Sequence, residues 1–186
     1  MTIYDQYHQK YPEFENKEFK AKTEKAVCYA LKEAGYNHNE VFGTHIKIDG
    51  IPFNKGGQHE VDFRLVSSKG EELFVEVKGE MTLLEINKLQ YLLNETSYNF
   101  YVLQLTEIDW IEPYNKEKSH SKAVKSEHDF KKQMDELICF VKGEKSGKEL
   151  SDESKKRLKD YIEFRAKELE TWISRKGQTR NSPPGR

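Results

Sequence analysis

The sequence predicts an α/β protein: a core running helix, three strands, helix, strand (αβββαβ) around a mixed central sheet, then a C-terminal helical extension. Three observations carry that reading. Residues 59–66 (HEVDFRLV) alternate apolar and polar, residues 72–78 (ELFVEVK) form a short apolar-rich run, and Thr82 with Glu85 makes a helix-capping signature directly after it. Alternation puts Val61, Phe63 and Leu65 on one face of the first run and Glu60, Asp62 and Arg64 on the other.

The remaining elements follow in order. A helix is expected over 17–34, where Phe19, Thr23, Ala26, Val27, Ala30 and Ala34 share one face and Gly35 supplies a stop. Residues 40–48 alternate and predict a strand, and 49–57 (DGIPFNKGG) is turn chemistry. Ser67–Glu71 connects the two strong strands as a hairpin. The helix opened by Thr82 spans 83–94, with Leu83, Ile86, Leu89, Leu92 and Leu93 apolar, and 99–105 (NFYVLQL) reads as a buried strand.

Pro113 closes this unit, so the expected domain plan is a core over 1–112, a helical extension over 113–178 and a disordered basic tail over 179–186. Within the extension, Ser126 and Asp129 cap a helix carrying Phe130, Met134, Leu137, Ile138 and Val141. Residues 143–148 form a loop, and Ser151 opens a long helix that Gly177 ends. Its stripe of Leu158, Tyr161, Ile162, Arg165, Leu169, Trp172 and Ile173 must cover either the core or a second copy of itself, the latter giving a homodimer.

Composition narrows the class. No apolar run approaches the roughly 18 residues that cross a bilayer, so no membrane partner is expected. The start, MTIYDQYHQK, lacks the apolar stretch of a secretory signal. Cys28 and Cys139 are isolated thiols, which excludes a disulfide framework or a thiolate zinc site on one chain. A cytoplasmic location is the expectation, and the excess of Lys over Arg, 25 to 6, suggests an AT-rich bacterial or phage genome. The net charge of −1 conceals an asymmetry: residues 1–112 hold 12 basic and 19 acidic side chains, residues 113–186 hold 19 and 13. An acidic half can hold metal and a basic half can meet a polyanion.

The informative stretch is Asp62 followed across one hairpin by Glu76-Val77-Lys78. Period-2 geometry puts Glu76 and Lys78 on one face of a central strand, where unpaired charges are costly. Antiparallel pairing brings Asp62 alongside Glu76, and two adjacent carboxylates repel unless a cation lies between them. Mg²⁺, which takes one or two carboxylates plus water and phosphate, resolves the repulsion, with Mn²⁺ as its substitute. Lys78 is then placed to hold or deprotonate a water, or to neutralise phosphate charge. The competing reading is an ordinary Glu–Lys pair on a solvent-facing sheet.

Asp62…Glu76-Val77-Lys78 within this element order resembles the PD-(D/E)xK superfamily of nucleases, the restriction-endonuclease-like fold, over roughly residues 17–106. The resemblance implies Mg²⁺-dependent hydrolysis of phosphodiester bonds. Asp62 and Glu76 would bind metal, the Val77 carbonyl would be a backbone ligand, and Lys78 would orient or activate the water. Many members add an acid from the first helix. Glu24, at the border of the apolar stripe, fits that role, with Glu33 on the opposite border. Some branches add a Gln on the helix after the motif with a Tyr four residues later; Gln90 matches the first, but position 94 is Asn, and Val61 stands where the superfamily's Pro precedes the first Asp.

Around this set, Glu60 points with Asp62 by alternation and His59 is a candidate general base or phosphate contact, so both are candidate site-lining residues. Tyr4, Tyr7 and Tyr11 recur at helical spacing and suit either base stacking or packing. Lys116, Lys118, Lys122 and Lys125 in the connection, with Lys155, Lys156 and Arg157 on the last helix, are candidate phosphate contacts. The functional expectation is a metal-dependent nuclease acting on nucleic acid, DNA favoured over RNA. Its rivals are a non-catalytic binding or inhibitory module of the same fold and a dimeric junction resolvase.

Overall fold

The computed structural model describes residues 22–51, 57–78, 81–104 and 130–180. It is an α/β fold with one open four-stranded mixed sheet. The elements are α1 (Lys22–Glu33), β1 (Phe42–Asp49), β2 (Gln58–Val66), β3 (Glu72–Lys78), α2 (Leu83–Glu95), β4 (Phe100–Gln104), α3 (130–141) and α4 (Gly147–Arg180). Among these helices none is long and apolar enough to cross a membrane.

Strand order is β1-β2-β3-β4: β1 to β3 form an antiparallel meander, and β4 returns parallel to β3 after α2. The Ser67–Glu71 hairpin is closed by Ser67 N–H donating to the Glu71 carbonyl at 2.9 Å, while Gly70 takes the left-handed conformation (φ +80°) the turn requires. β3 is central, and Leu73 through Val77 are all buried, which is why its sequence is a run rather than an alternation.

Two apolar clusters sandwich the sheet. On one face Ala26, Val27, Cys28 and Leu31 of α1 and Phe130, Met134, Leu137 and Phe140 of α3 meet Phe63, Leu65, Leu73, Val75 and Tyr101. On the other, Leu89, Leu92 and Leu93 of α2 and Leu158 of α4 meet Val61, Phe74, Phe100 and Val102, with Tyr161 and Ile162 packed alongside. The helices after residue 130 therefore pack on both faces of the same sheet. At Leu158, Tyr161 and Ile162 the apolar stripe covers this core. α4 also shields the β4 edge, where the Val102 N–H donates to Ser154 Oγ at 3.0 Å.

Several expected boundaries move. α1 ends at Glu33, so Ala34 is exposed in the following turn, where Gly35 stops the helix with φ +88°. α4 begins at Gly147, four residues before Ser151: Ser146 and Glu149 form a reciprocal capping box, and Ser151 is buried within the helix. Gly177 does not end α4, which continues to Arg180, so residues 179 and 180 of the expected tail are helical. The expected roles of Tyr4, Tyr7, Tyr11, Phe19, Lys116, Lys118, Lys122, Lys125 and the 181–186 tail lie outside the described residues. So do the side chains of Thr23, Leu169, Trp172 and Ile173.

Candidate active site

The β2–β3 ladder pairs Phe63 with Val75 and stops there. One step further, in the same register, Asp62 faces Glu76. The strands have parted at this point, and the Val77 N–H donates to Asp62 Oδ2 at 2.7 Å. Parting strands leave room for polar side chains in a sheet whose centre is otherwise closed.

Glu76 is 1 % exposed, and both its oxygens are bonded: Lys78 Nζ lies 2.8 Å from Oε2 and His59 Nε2 2.5 Å from Oε1. Burial alone pushes the Glu76 carboxyl up, but the hydrogen bond from His59 and the Lys78 charge outweigh it, and its pKa is lowered. Asp62 goes the other way. Burial first, then the charge of Glu76, raise it to about 6 against the pull of Lys78 and the Val77 N–H, and Glu24 pushes it further up. For Lys78 burial acts downward, yet Glu76 and Asp62 prevail and its pKa is raised, so it is held as the ammonium.

Glu24, in the first turn of α1, is turned toward this cluster rather than to solvent: it is 8 % exposed, and among the described residues its Oε2 has no hydrogen-bond donor. His45 Nε2 lies 3.8 Å from that oxygen, while His45 Nδ1 lies 3.3 Å from Glu60 Oε1. His45 holds this place with φ +53° in the middle of β1, a conformation few non-glycine residues adopt. Glu33, at the far end of α1, is exposed.

The sequence-predicted residues thus divide. Asp62, Glu76, Lys78 and Glu24 share one electrostatic neighbourhood. Glu60 is exposed and engaged with His45 rather than with Glu76. Gln90 is not site-lining: it is exposed and borders a groove with Leu93, Asn94, Lys155 and Leu158 between α2 and α4. A helix puts Lys88, not Gln90, on the side toward the acids, and burial with the neighbouring Lys78 lowers the Lys88 pKa against the pull of Glu76. Arg157 is not a free phosphate contact either. Its guanidinium donates to the Tyr101 hydroxyl at 3.0 Å and to Gln133 at 3.2 Å, and lies 3.6 Å from Glu136. Lys155 lies 3.5 Å from Asp152, and Lys156 is exposed.

Sequence reasoning missed the His59–Glu76 bond because alternation set His59 on the face opposite Asp62. In the structure Val61 packs with the α2-side cluster, while Phe63 and Leu65 belong to the α1 side, so β2 changes face beside His45. His59 rides with Val61 onto the side of Glu76. Lys88 and His45 were likewise unmarked; a lysine two positions before Gln90 on the same helix was the one available signal.

Does this donor set suit a metal? Among the described residues no group of three or more His, Cys, Asp or Glu side chains forms a ready cage. A hard divalent ion needs less, filling its shell with water and phosphate around one or two carboxylates. Two crowded oxygen donors, Asp62 and Glu24, with a buried Glu24 oxygen lacking any hydrogen-bond donor, match that chemistry. No family model matches the chain, and no curated protein or solved structure is significantly similar to it, so the site is read from its own residues.

Proposed function

We propose that this protein is a metal-dependent nuclease that hydrolyses phosphodiester bonds of nucleic acid, DNA in the first instance. The observation that carries the reading is the part-buried set at the parted ends of β2 and β3: Asp62 with its raised pKa, Glu76 and Lys78, with Glu24 turned inward beside them. Asp62, Glu76 and Glu24, with the Val77 carbonyl, would hold Mg²⁺ or Mn²⁺, which when bound supplies Lewis-acid polarisation of a phosphoryl oxygen and a more acidic water. Lys78, kept protonated by its two carboxylates, suits orienting a water through an N–H and neutralising charge that builds on phosphate; it is not a proton acceptor in this state. Glu76 Oε2 holds that ammonium at 2.8 Å, while Asp62, which accepts from the Val77 N–H, attracts it by charge.

The test is a cleavage panel of single-stranded, duplex and branched DNA and RNA with Mg²⁺ or Mn²⁺. Wild type should cut at least one substrate, and Lys78→Ala should lose about 10²–10³-fold in rate, the usual cost of one transition-state donor. Failure of wild type on every substrate, or an undiminished Lys78→Ala, overturns the reading. A preference for branched DNA by a dimer would identify a junction resolvase.

A second reading, a non-catalytic binding module of the same architecture, is favoured by one observation: Lys78 and His59 already bond both oxygens of Glu76. It predicts nucleic-acid or protein binding without uptake of Mn²⁺ in calorimetry.

A further inference from the structure

His59 is 1 % exposed in β2, and among the described residues its ring is committed at one atom only: Nε2 donates to Glu76 Oε1 at 2.5 Å, while the buried Nδ1 has no hydrogen-bond partner. An imidazole buried with one nitrogen unsatisfied costs free energy that an apolar side chain in the same space would avoid. Its neighbours favour an apolar residue, since it pairs with Ile48 in the β1–β2 register and Val61 lies two positions on. Its one polar bond goes to the carboxylate that the proposed chemistry uses. On the other side Lys78 Nζ takes Oε2 at 2.8 Å, so two donors from two strands fix both ends of the carboxylate and remove its freedom to rotate.

We infer that His59 is a positioning residue of the hydrolytic site, pinning Oε1 of Glu76 so that Oε2, on the side of Lys78, is the oxygen offered to a divalent ion. The inference rests on the nuclease reading and deepens it. A ligand oriented in advance binds more tightly than one that must be ordered, and partners that orient a metal ligand typically contribute about 10–100-fold in metal affinity.

The experiment measures Mn²⁺ binding to the full chain by calorimetry and by electron paramagnetic resonance, without nucleic acid, for wild type, His59→Gln and His59→Phe. Phenylalanine keeps the ring and removes the donor; glutamine keeps an N–H. The expected result is a loss of about 10–100-fold in Mn²⁺ affinity for His59→Phe, with His59→Gln recovering most of it. In cleavage, kcat should fall with KM for nucleic acid unchanged. Thermal melting checks each fold, and His59→Leu serves as the donorless variant if phenylalanine prevents folding. A donorless, folded variant that binds Mn²⁺ as tightly as wild type overturns the role of His59. A wild type that takes up no Mn²⁺ overturns instead the nuclease reading beneath it.

Discussion

Two part-buried polar clusters among the described residues differ in how their charges are balanced. Beside β4, the Tyr101 hydroxyl donates to Glu136 at 2.5 Å, and Arg157 contacts Tyr101, Gln133, Ser154 and Glu136 while its guanidinium stacks 4.5 Å over the Tyr101 ring. There one cation meets one carboxylate, and the network ties α3 and α4 to the sheet, although Arg157 Nε is itself buried without a hydrogen-bond partner among the described residues. At the parted ends of β2 and β3 the balance is wrong for stability. Asp62, Glu76 and Glu24 crowd together, a Glu24 oxygen has no donor among the described residues, and His45 holds a left-handed backbone. A protein tolerates such an arrangement where it serves something other than folding.

The sharpest test of that contrast is that mutations in the two clusters should move stability in opposite directions. Arg157→Met should destabilise by about 2–4 kcal/mol, because it strands Glu136 beside a buried hydroxyl, and denaturant unfolding measures it. Asp62→Asn should instead stabilise the protein by about 2 kcal/mol at pH 7. The sign follows from linkage. The folded pKa of about 6 lies above the ordinary 3.8, so the native state binds the proton more tightly than the unfolded chain. The penalty of the charged Asp62 is full above pH 6, shrinks as pH falls, and is gone below about 3.8. The advantage of Asp62→Asn should therefore fade between pH 6 and 4 in melting curves. A loss of stability at pH 7 would place the two clusters in one class, and a constant advantage across that range would mean that the gain does not come from the Asp62 charge.

Which parts of this were legible in advance follows from how local each signal is. β2 was read from alternation and β3 from an apolar-rich run, and the capping box of Thr82 and Glu85 is present as expected, because each depends on a few adjacent residues. The second box, Ser146 with Glu149, has the same spacing but was passed over: the acidic pair after Ser151 resembled a stronger first turn. Asp62 facing Glu76 needed only a hairpin register. The inward turn of Arg157 did not, since it depends on Tyr101 and Gln133 arriving from two other elements. The bond of His59 to Glu76 was hidden for a subtler reason. Period-2 alternation assumes an unbroken strand, and β2 changes face between Val61 and Phe63 beside a residue of the neighbouring strand.

That residue provides the smallest test, and its sign decides it. At an ordinary position within an antiparallel strand, valine is more stable than glycine, because a β-branched side chain packs on the pleat and glycine gives up backbone entropy. His45 lies in β1 with Thr44 and Ile46 paired on either side, yet its φ is +53°. A β-branched side chain in that region clashes with its own backbone at a cost of about 1–3 kcal/mol, whereas glycine enters it freely. His45→Gly should consequently be more stable than His45→Val by about 1 kcal/mol in chemical denaturation, the reverse of the usual strand order. If valine proves the more stable, the backbone at His45 relaxes to a regular strand when the imidazole is removed. The left-handed turn is then held there by the contacts of His45 with Glu24 and Glu60, and the strain belongs to the acid cluster rather than to the path of β1.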